Sequence, residues 1–112
     1  MSNPSKQKGT SAETAVVKHL IANGFPEAER RTLSGANDKG DISGIKDVCL
    51  EVKDHKKMDL AGWVKELEVE RRNALALTGA VIHKKRGTTN VGEWYATMPV
   101  SLFLKLIIDA GY

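Results

Sequence analysis

A single cysteine in 112 residues cannot close an internal disulfide, and it cannot build a cysteine-rich zinc site. A reduced, intracellular environment is the expectation. No histidine is placed in an evident pair with Cys49, so it reads as a small strand residue and not as a nucleophile. The chain also lacks any apolar run approaching the roughly 18–20 residues that span a bilayer, and its Met-Ser-Asn-Pro-Ser-Lys start lacks a secretory apolar region. No membrane partner is expected. His55 and His83 do not have the spacing of a zinc motif, and no internal repeat or coiled-coil heptad is evident.

What is present is ordinary globular material. The chain is 41% hydrophobic and 28% charged, which separates it from disordered segments. Its length fits one compact domain with a modest stability margin. Residues 1–9 are polar and contain Pro4 and Gly9; they read as a flexible basic arm before a single domain over 10–112. Seventeen Lys and Arg against 14 Asp and Glu give a net charge of +3, which is compatible with a polyanionic partner. The basic residues cluster at Lys6 and Lys8, Arg30 and Arg31, Lys53 to Lys57, and Lys84 to Arg86. Such clusters can neutralise backbone phosphates without a very basic chain.

Thr10 followed by Glu13 has the spacing of a capping box, and AVVKHLIAN carries apolar residues at helical intervals. This predicts a first helix over 11–23, stopped by Gly24. EAERRTL is a weak strand, SGANDKG a linker, DISGI a short strand, and VCLEVK the clearest strand of all. In VCLEVK, Val48, Leu50 and Val52 alternate with Cys49, Glu51 and Lys53, which puts Glu51 and Lys53 on one face. A long helix is predicted over 59–78, capped by Asp59 and stopped by Gly79. AVIHK and EWYAT follow as strands, and SLFLKLIIDAG as a short apolar helix suited to packing or an oligomer contact. The order implies an α/β fold with a mixed sheet covered by helices. Trp63 belongs to the core or to a subunit interface, and Trp94 and Tyr95 fall on opposite strand faces.

A hairpin brings Asp41 beside Glu51. Oxygen ligands suit a hard divalent cation such as Mg2+, and the Val52 carbonyl adds a third protein oxygen. Lys53 shares the strand face of Glu51, where its ammonium can stabilise charge on a phosphate. Two readings stand for these residues: a solvated hairpin, or a metal and phosphate centre. Glu13 likewise either completes a cap or faces that centre. Glu66 and Glu70 can reach the centre together, but the stronger expectation is surface pairing with Lys65, Arg71 or Arg72, or a contribution to a subunit contact.

An ordered set of motifs runs through the chain: KGTSAE with Lys8 and Glu13, NGF at 23–25, Arg30, SG at 34–35, GDI at 40–42 and LEVK at 50–53, with Gly79-Ala80 leading to Lys84. With it the chain resembles the PD-(D/E)XK nuclease superfamily, and within it the archaeal-type Holliday junction resolvases and their viral relatives, over roughly residues 8–98. The resemblance implies a restriction-endonuclease-like core with a mixed five-stranded sheet flanked by helices, a homodimer, and Mg2+-dependent cleavage of phosphodiester bonds, with Mn2+ as a substitute. Four-way DNA junctions are the expected substrate; the alternatives are a related nuclease acting on flap, nicked or duplex DNA, or a noncatalytic DNA-binding module with this fold. It implies Asp41, Glu51 and the Val52 carbonyl as metal ligands, Lys53 as the catalytic lysine and Glu13 as the additional acid of helix one. Lys8, Arg30, Ser34, Lys56, Lys57, Lys84 and Arg86 are the candidate DNA contacts. A viral member would act in the host cytoplasm. One departure is Gly40, which stands where the family has proline.

Overall fold

The computed structural model describes residues 4–31 and 37–112, with side chains described from residue 7 onward in those ranges. In chain order the elements are α1 (Pro4–Ala22), β1 (Glu29–Arg30), β2 (Ile42–Ser43), β3 (Val48–Lys53), α2 (Leu60–Asn73), β4 (Thr78–His83), a 3-10 turn (Val91–Glu93), β5 (Tyr95–Thr97) and α3 (Val100–Asp109). The strands form one open sheet in the order β1-β2-β3-β4-β5. β3 and β4 run parallel, and every other neighbouring pair is antiparallel. The parallel pair needs a crossover, and α2 provides it. This is the mixed five-stranded sheet flanked by helices that the sequence predicts.

Alternation along β3 divides the core between two faces. Leu50 and Val52 pack with Ala12 and Val16 of α1, Ile42, Ala80 and Trp94. On the other face, Cys49 packs with Trp63 and Leu67 of α2 and with Ala76 and Val81. Leu67 is fully buried, and burial of such a side chain stabilises by roughly 2–3 kcal/mol. Because successive side chains change face, Glu51 and Lys53 stand on the α2 face, continuing the row that Cys49 begins. Trp63 lies in the core, while Trp94 is buried and Tyr95 exposed, as alternation requires.

Element boundaries differ from the sequence reading in several places; DISGI is a strand only at Ile42–Ser43, and EWYAT only at Tyr95–Thr97, Glu93 belonging to the 3-10 turn. Helix α1 starts at Pro4, not residue 11, so residues 4–9 are helical. Proline is compatible with a first helical turn because its fixed φ suits the helix and its missing N–H would have no partner there. Thr10 is therefore internal and caps nothing; its carbonyl accepts from the Thr14 hydroxyl at 2.9 Å. Among the described residues the β1 strand is Glu29–Arg30; the last two residues of EAERRTL lie outside them.

Helix α2 ends at Asn73, not before Gly79. Leu75 adopts φ 53°, and its N–H donates to Arg72 while that of Ala76 donates to Arg71. This is a Schellman stop with leucine in the position glycine usually takes. Gly79 lies inside β4 for a different reason. A Cβ there would sit 2.5 Å from the Cys49 carbonyl oxygen and 3.2 Å from Leu67 Cδ1, so glycine permits the close approach of β4 to β3.

After Pro99, α3 buries only Leu102 and leaves Val100, Phe103, Leu104 and Ile108 exposed. No helix among the described residues is long and apolar enough to cross a membrane.

Candidate metal centre

Asp41 is fixed from three directions. Its N–H donates to the Leu50 carbonyl and its own carbonyl accepts from the Arg31 N–H, each at 2.8 Å. Its Oδ2 accepts from the Val52 N–H at 2.7 Å. The next carbonyl along β3, that of Lys53, accepts from the Lys84 N–H on the β4 side. Because N–H and C=O of one extended residue point to the same side and alternate along the strand, the Val52 carbonyl faces the β2 side with Asp41.

Gly40, immediately before Asp41, has φ +98°, and its N–H donates to Asp38 Oδ1 at 2.9 Å. Proline can meet neither requirement, since its φ is locked near −65° and it has no N–H. Glycine at this position thus has a local cause, and it leaves the Asp41 carboxylate in place.

Glu51, on the opposite face from Leu50 and Val52, is 3% exposed. Helix α2 covers it, and one turn of that helix directs Glu66 and Glu70 toward it. The candidate ligand oxygens of Glu51, Glu66 and Glu70 all lie within 4.8 Å of one another. Lys53 Nζ is 3.0 Å from Glu66 Oε2 and 4.0 Å from Glu51 Oε2. Glu70 is 5% exposed, and its Oε2 is buried without a hydrogen-bond partner.

The titration of these groups follows from crowding. Burial first, then hydrogen bonds to Asp41 and Glu70 and their charges, raise Glu51 far above the usual carboxylate range. Burial also raises Glu70, reinforced by the charges of Asp38, Asp41 and Glu66 and opposed by its hydrogen bond to Glu51. For Lys53, burial works against the ammonium, but the hydrogen bond it donates to Glu66 and the charges of Glu51, Glu66 and Asp41 outweigh it and raise the pKa. The lysine therefore stays charged. Without a cation, protonation relieves the carboxylates; with one, they can all ionise. An all-oxygen donor set with an orphaned buried carboxylate oxygen fits a hard divalent ion such as Mg2+ or Mn2+.

The surface pairing expected for Glu66 and Glu70 is not found. Arg71 instead bonds Glu68 and the Ala76 carbonyl, Glu70 is buried, and Glu66 holds Lys53. A signal was present in the sequence: Trp63, Leu67 and Glu70 follow the i, i+4, i+7 spacing of one buried stripe. Glu13 stands apart from the three clustered glutamates. Its Oε1 accepts from Arg30 Nε at 3.0 Å, and its pKa is raised by burial and by the Asp41 charge against the lowering effect of Arg30. Arg30, a candidate DNA contact, is thus engaged at the rim of the centre.

Three other candidate DNA contacts, remote in sequence, meet at one groove. Lys8, Lys84 and Arg86 line a cavity of about 560 Å3 with Asp54 and His55. Lys8 Nζ and Lys84 Nζ lie 3.9 and 4.0 Å from the two Asp54 oxygens, and Lys84 also stands over the Trp94 ring at 5.7 Å. Lys56 and Lys57 are exposed between β3 and α2. Ser34 lies outside the described residues. Cys49 is fully buried, and burial pushes its thiol up to about 12, so it is not a thiolate near neutrality.

The chain is an α/β domain whose sheet and second helix hold an acidic cluster with the geometry of a metal site. Comparison with known family models, with curated proteins and with solved structures gives no match.

Proposed function

We propose that this protein is a metal-dependent endodeoxyribonuclease that resolves four-way DNA junctions by paired phosphodiester hydrolysis. The observation that carries this reading is the meeting of Asp41 and Glu51 carboxylates, the Val52 carbonyl side of β3 and the Lys53 ammonium at one end of the sheet. Asp41, Glu51 and the Val52 carbonyl would hold Mg2+, which when bound polarises the phosphoryl group and makes water more nucleophilic. Lys53 supplies positive charge beside the reacting phosphate and remains protonated. Glu13 takes a rim position, where Arg30 neutralises it and keeps a cation near the DNA backbone. The groove of Lys8, Lys84 and Arg86 offers a phosphate track beside the centre.

Each chain has one such centre, so paired cuts call for two copies. A two-fold homodimer would present two centres to opposed strands, and the exposed apolar surface of α3 supports such a contact. Junction preference rests on the motif resemblance together with this pairing. Selectivity would come from branch geometry more than from base edges.

The test is incubation of the purified chain and Mg2+ with matched linear, nicked, flap and immobile four-way DNA. Paired cuts confined to the four-way substrate are expected; equal cleavage of linear duplex would remove the junction assignment. Asp41→Asn is expected to suppress cleavage on the order of a hundredfold or more while DNA binding persists. A folded Asp41→Asn protein that cleaves at the parental rate would refute the centre itself.

A further inference from the structure

Helix α2 brings to the centre two acids for which the nuclease reading has no use. We infer that Glu70 and Glu66, together with Glu51, hold a second divalent cation on the α2 side of β3. Glu51 would then be shared, serving this position on one side and the Asp41 and Val52 position on the other. The shared role rests on the nuclease reading above, whereas the α2 position stands on its own geometry.

Two independent observations support it. The three glutamates offer oxygens within 4.8 Å of one another, a spacing that one small cation can span. Separately, Glu70 is 5% exposed and keeps its Oε2 buried and unpartnered, although leaving such an acceptor unsatisfied is costly. Neighbouring side chains are committed elsewhere. Arg71 is turned to Glu68 and the Ala76 carbonyl, and Asn73 Nδ2 donates to the Asp38 carbonyl at 2.9 Å. Among the described residues, the cation that reaches the cluster is Lys53, at 3.0 Å from Glu66 and 4.0 Å from Glu51. Carboxylate oxygen is the sole donor type here, so the site suits Mg2+, Mn2+ or Ca2+ and not a soft metal. Once Glu66 is engaged by a dication, Lys53 loses its nearest carboxylate, and its ammonium is released toward substrate.

The test uses the full chain and Mn2+ alone, counting bound ion from the electron paramagnetic resonance signal of free Mn2+ and measuring affinity by calorimetry. The parent is expected to bind about two ions per chain, and Glu70→Gln and Asp41→Asn about one each, with one remaining at the other position. Glu66→Gln alters a side chain that is 52% exposed, so it leaves folding intact and weakens one ion on the order of tenfold or more. Parental Mn2+ binding by both Glu70→Gln and Glu66→Gln overturns the inference. Parental binding by Asp41→Asn with a loss in Glu70→Gln upholds the α2 position and refutes the nuclease centre. A parent that binds about one ion, removed by Asp41→Asn alone, does the reverse. A parent that binds none overturns both.

Discussion

Replacing Glu51 by glutamine should stabilise the metal-free protein while abolishing the proposed cleavage. Glu51 is 3% exposed and stands within 4.8 Å of two other carboxyl oxygens. At that separation two ionised carboxylates repel by about 3 kcal/mol at an effective dielectric of about 20. The folded protein avoids this by holding the Glu51 proton, which raises its pKa from the ordinary 4.5 to about 12, with burial as the largest cause. Holding that proton at neutrality costs about 3 kcal/mol relative to an unfolded chain that has released it. The two routes give the same magnitude, a large fraction of a typical domain's stability.

The sign follows from the direction of the shift. A glutamate whose folded pKa is raised contributes its stability in full below the unfolded value. That stability is lost progressively as pH rises above about 4.5, because the folded state then binds more protons than the unfolded one. Glu70 shifts the same way. His83 shifts downward through burial and acts in the opposite sense, but its contribution cancels when parent and variant are compared at each pH. Urea unfolding in EDTA should therefore show parental stability falling from about pH 5 to about pH 7 relative to Glu51→Gln. The variant should be more stable by up to about 3 kcal/mol at about pH 7. Saturating Mg2+ should remove the parent's deficit. A parent as stable as Glu51→Gln at both pH values in EDTA would refute the crowding argument.

Other expectations concern the frame and the groove. Leu75, 85% exposed with φ 53°, should be replaceable by glycine with a gain of about 1 kcal/mol in urea unfolding, and a loss would show that the exposed leucine makes a contact of its own. Gly79→Ala should cost roughly 1–3 kcal/mol, because its Cβ meets the Cys49 carbonyl oxygen at 2.5 Å; unchanged stability would mean that β3 and β4 separate freely. Alanine at Lys8, Lys84 or Arg86 should each weaken junction binding and reduce the salt dependence by about one phosphate contact, whereas Asp54→Asn should strengthen binding by removing the acid between Lys8 and Lys84. An unchanged salt slope in all three alanine variants would take the DNA out of this groove.

The features legible in the chain were those set by neighbours in sequence. Alternation in VCLEVK placed Leu50 and Val52 in the core and sent Glu51 and Lys53 to the other face, because a strand's period of two is a local property. Asp41 was legible for a similar reason: a short antiparallel connection joins it to Leu50 and Val52. Helix ends were less legible. Gly79 looks like a helix stop, yet its job depends on how closely β4 approaches Cys49, and Leu75 takes the left-handed position although glycine would suit it better.

Glu66 and Glu70 show the boundary most clearly. As a sequence pair four residues apart beside Lys65, Arg71 and Arg72, they resemble any solvated helix face. The rotation of α2, set by burying Trp63 and Leu67 against the sheet, turns Glu70 inward and Glu66 onto Lys53. The groove of Lys8, Lys84 and Arg86 likewise exists only after α1 is laid beside the end of β4. Local spacing determined which residues could share a strand face. Packing between distant elements decided which charges meet, because charges from separate segments come within ångströms of one another only when the core fixes the angle and register of the pieces that carry them.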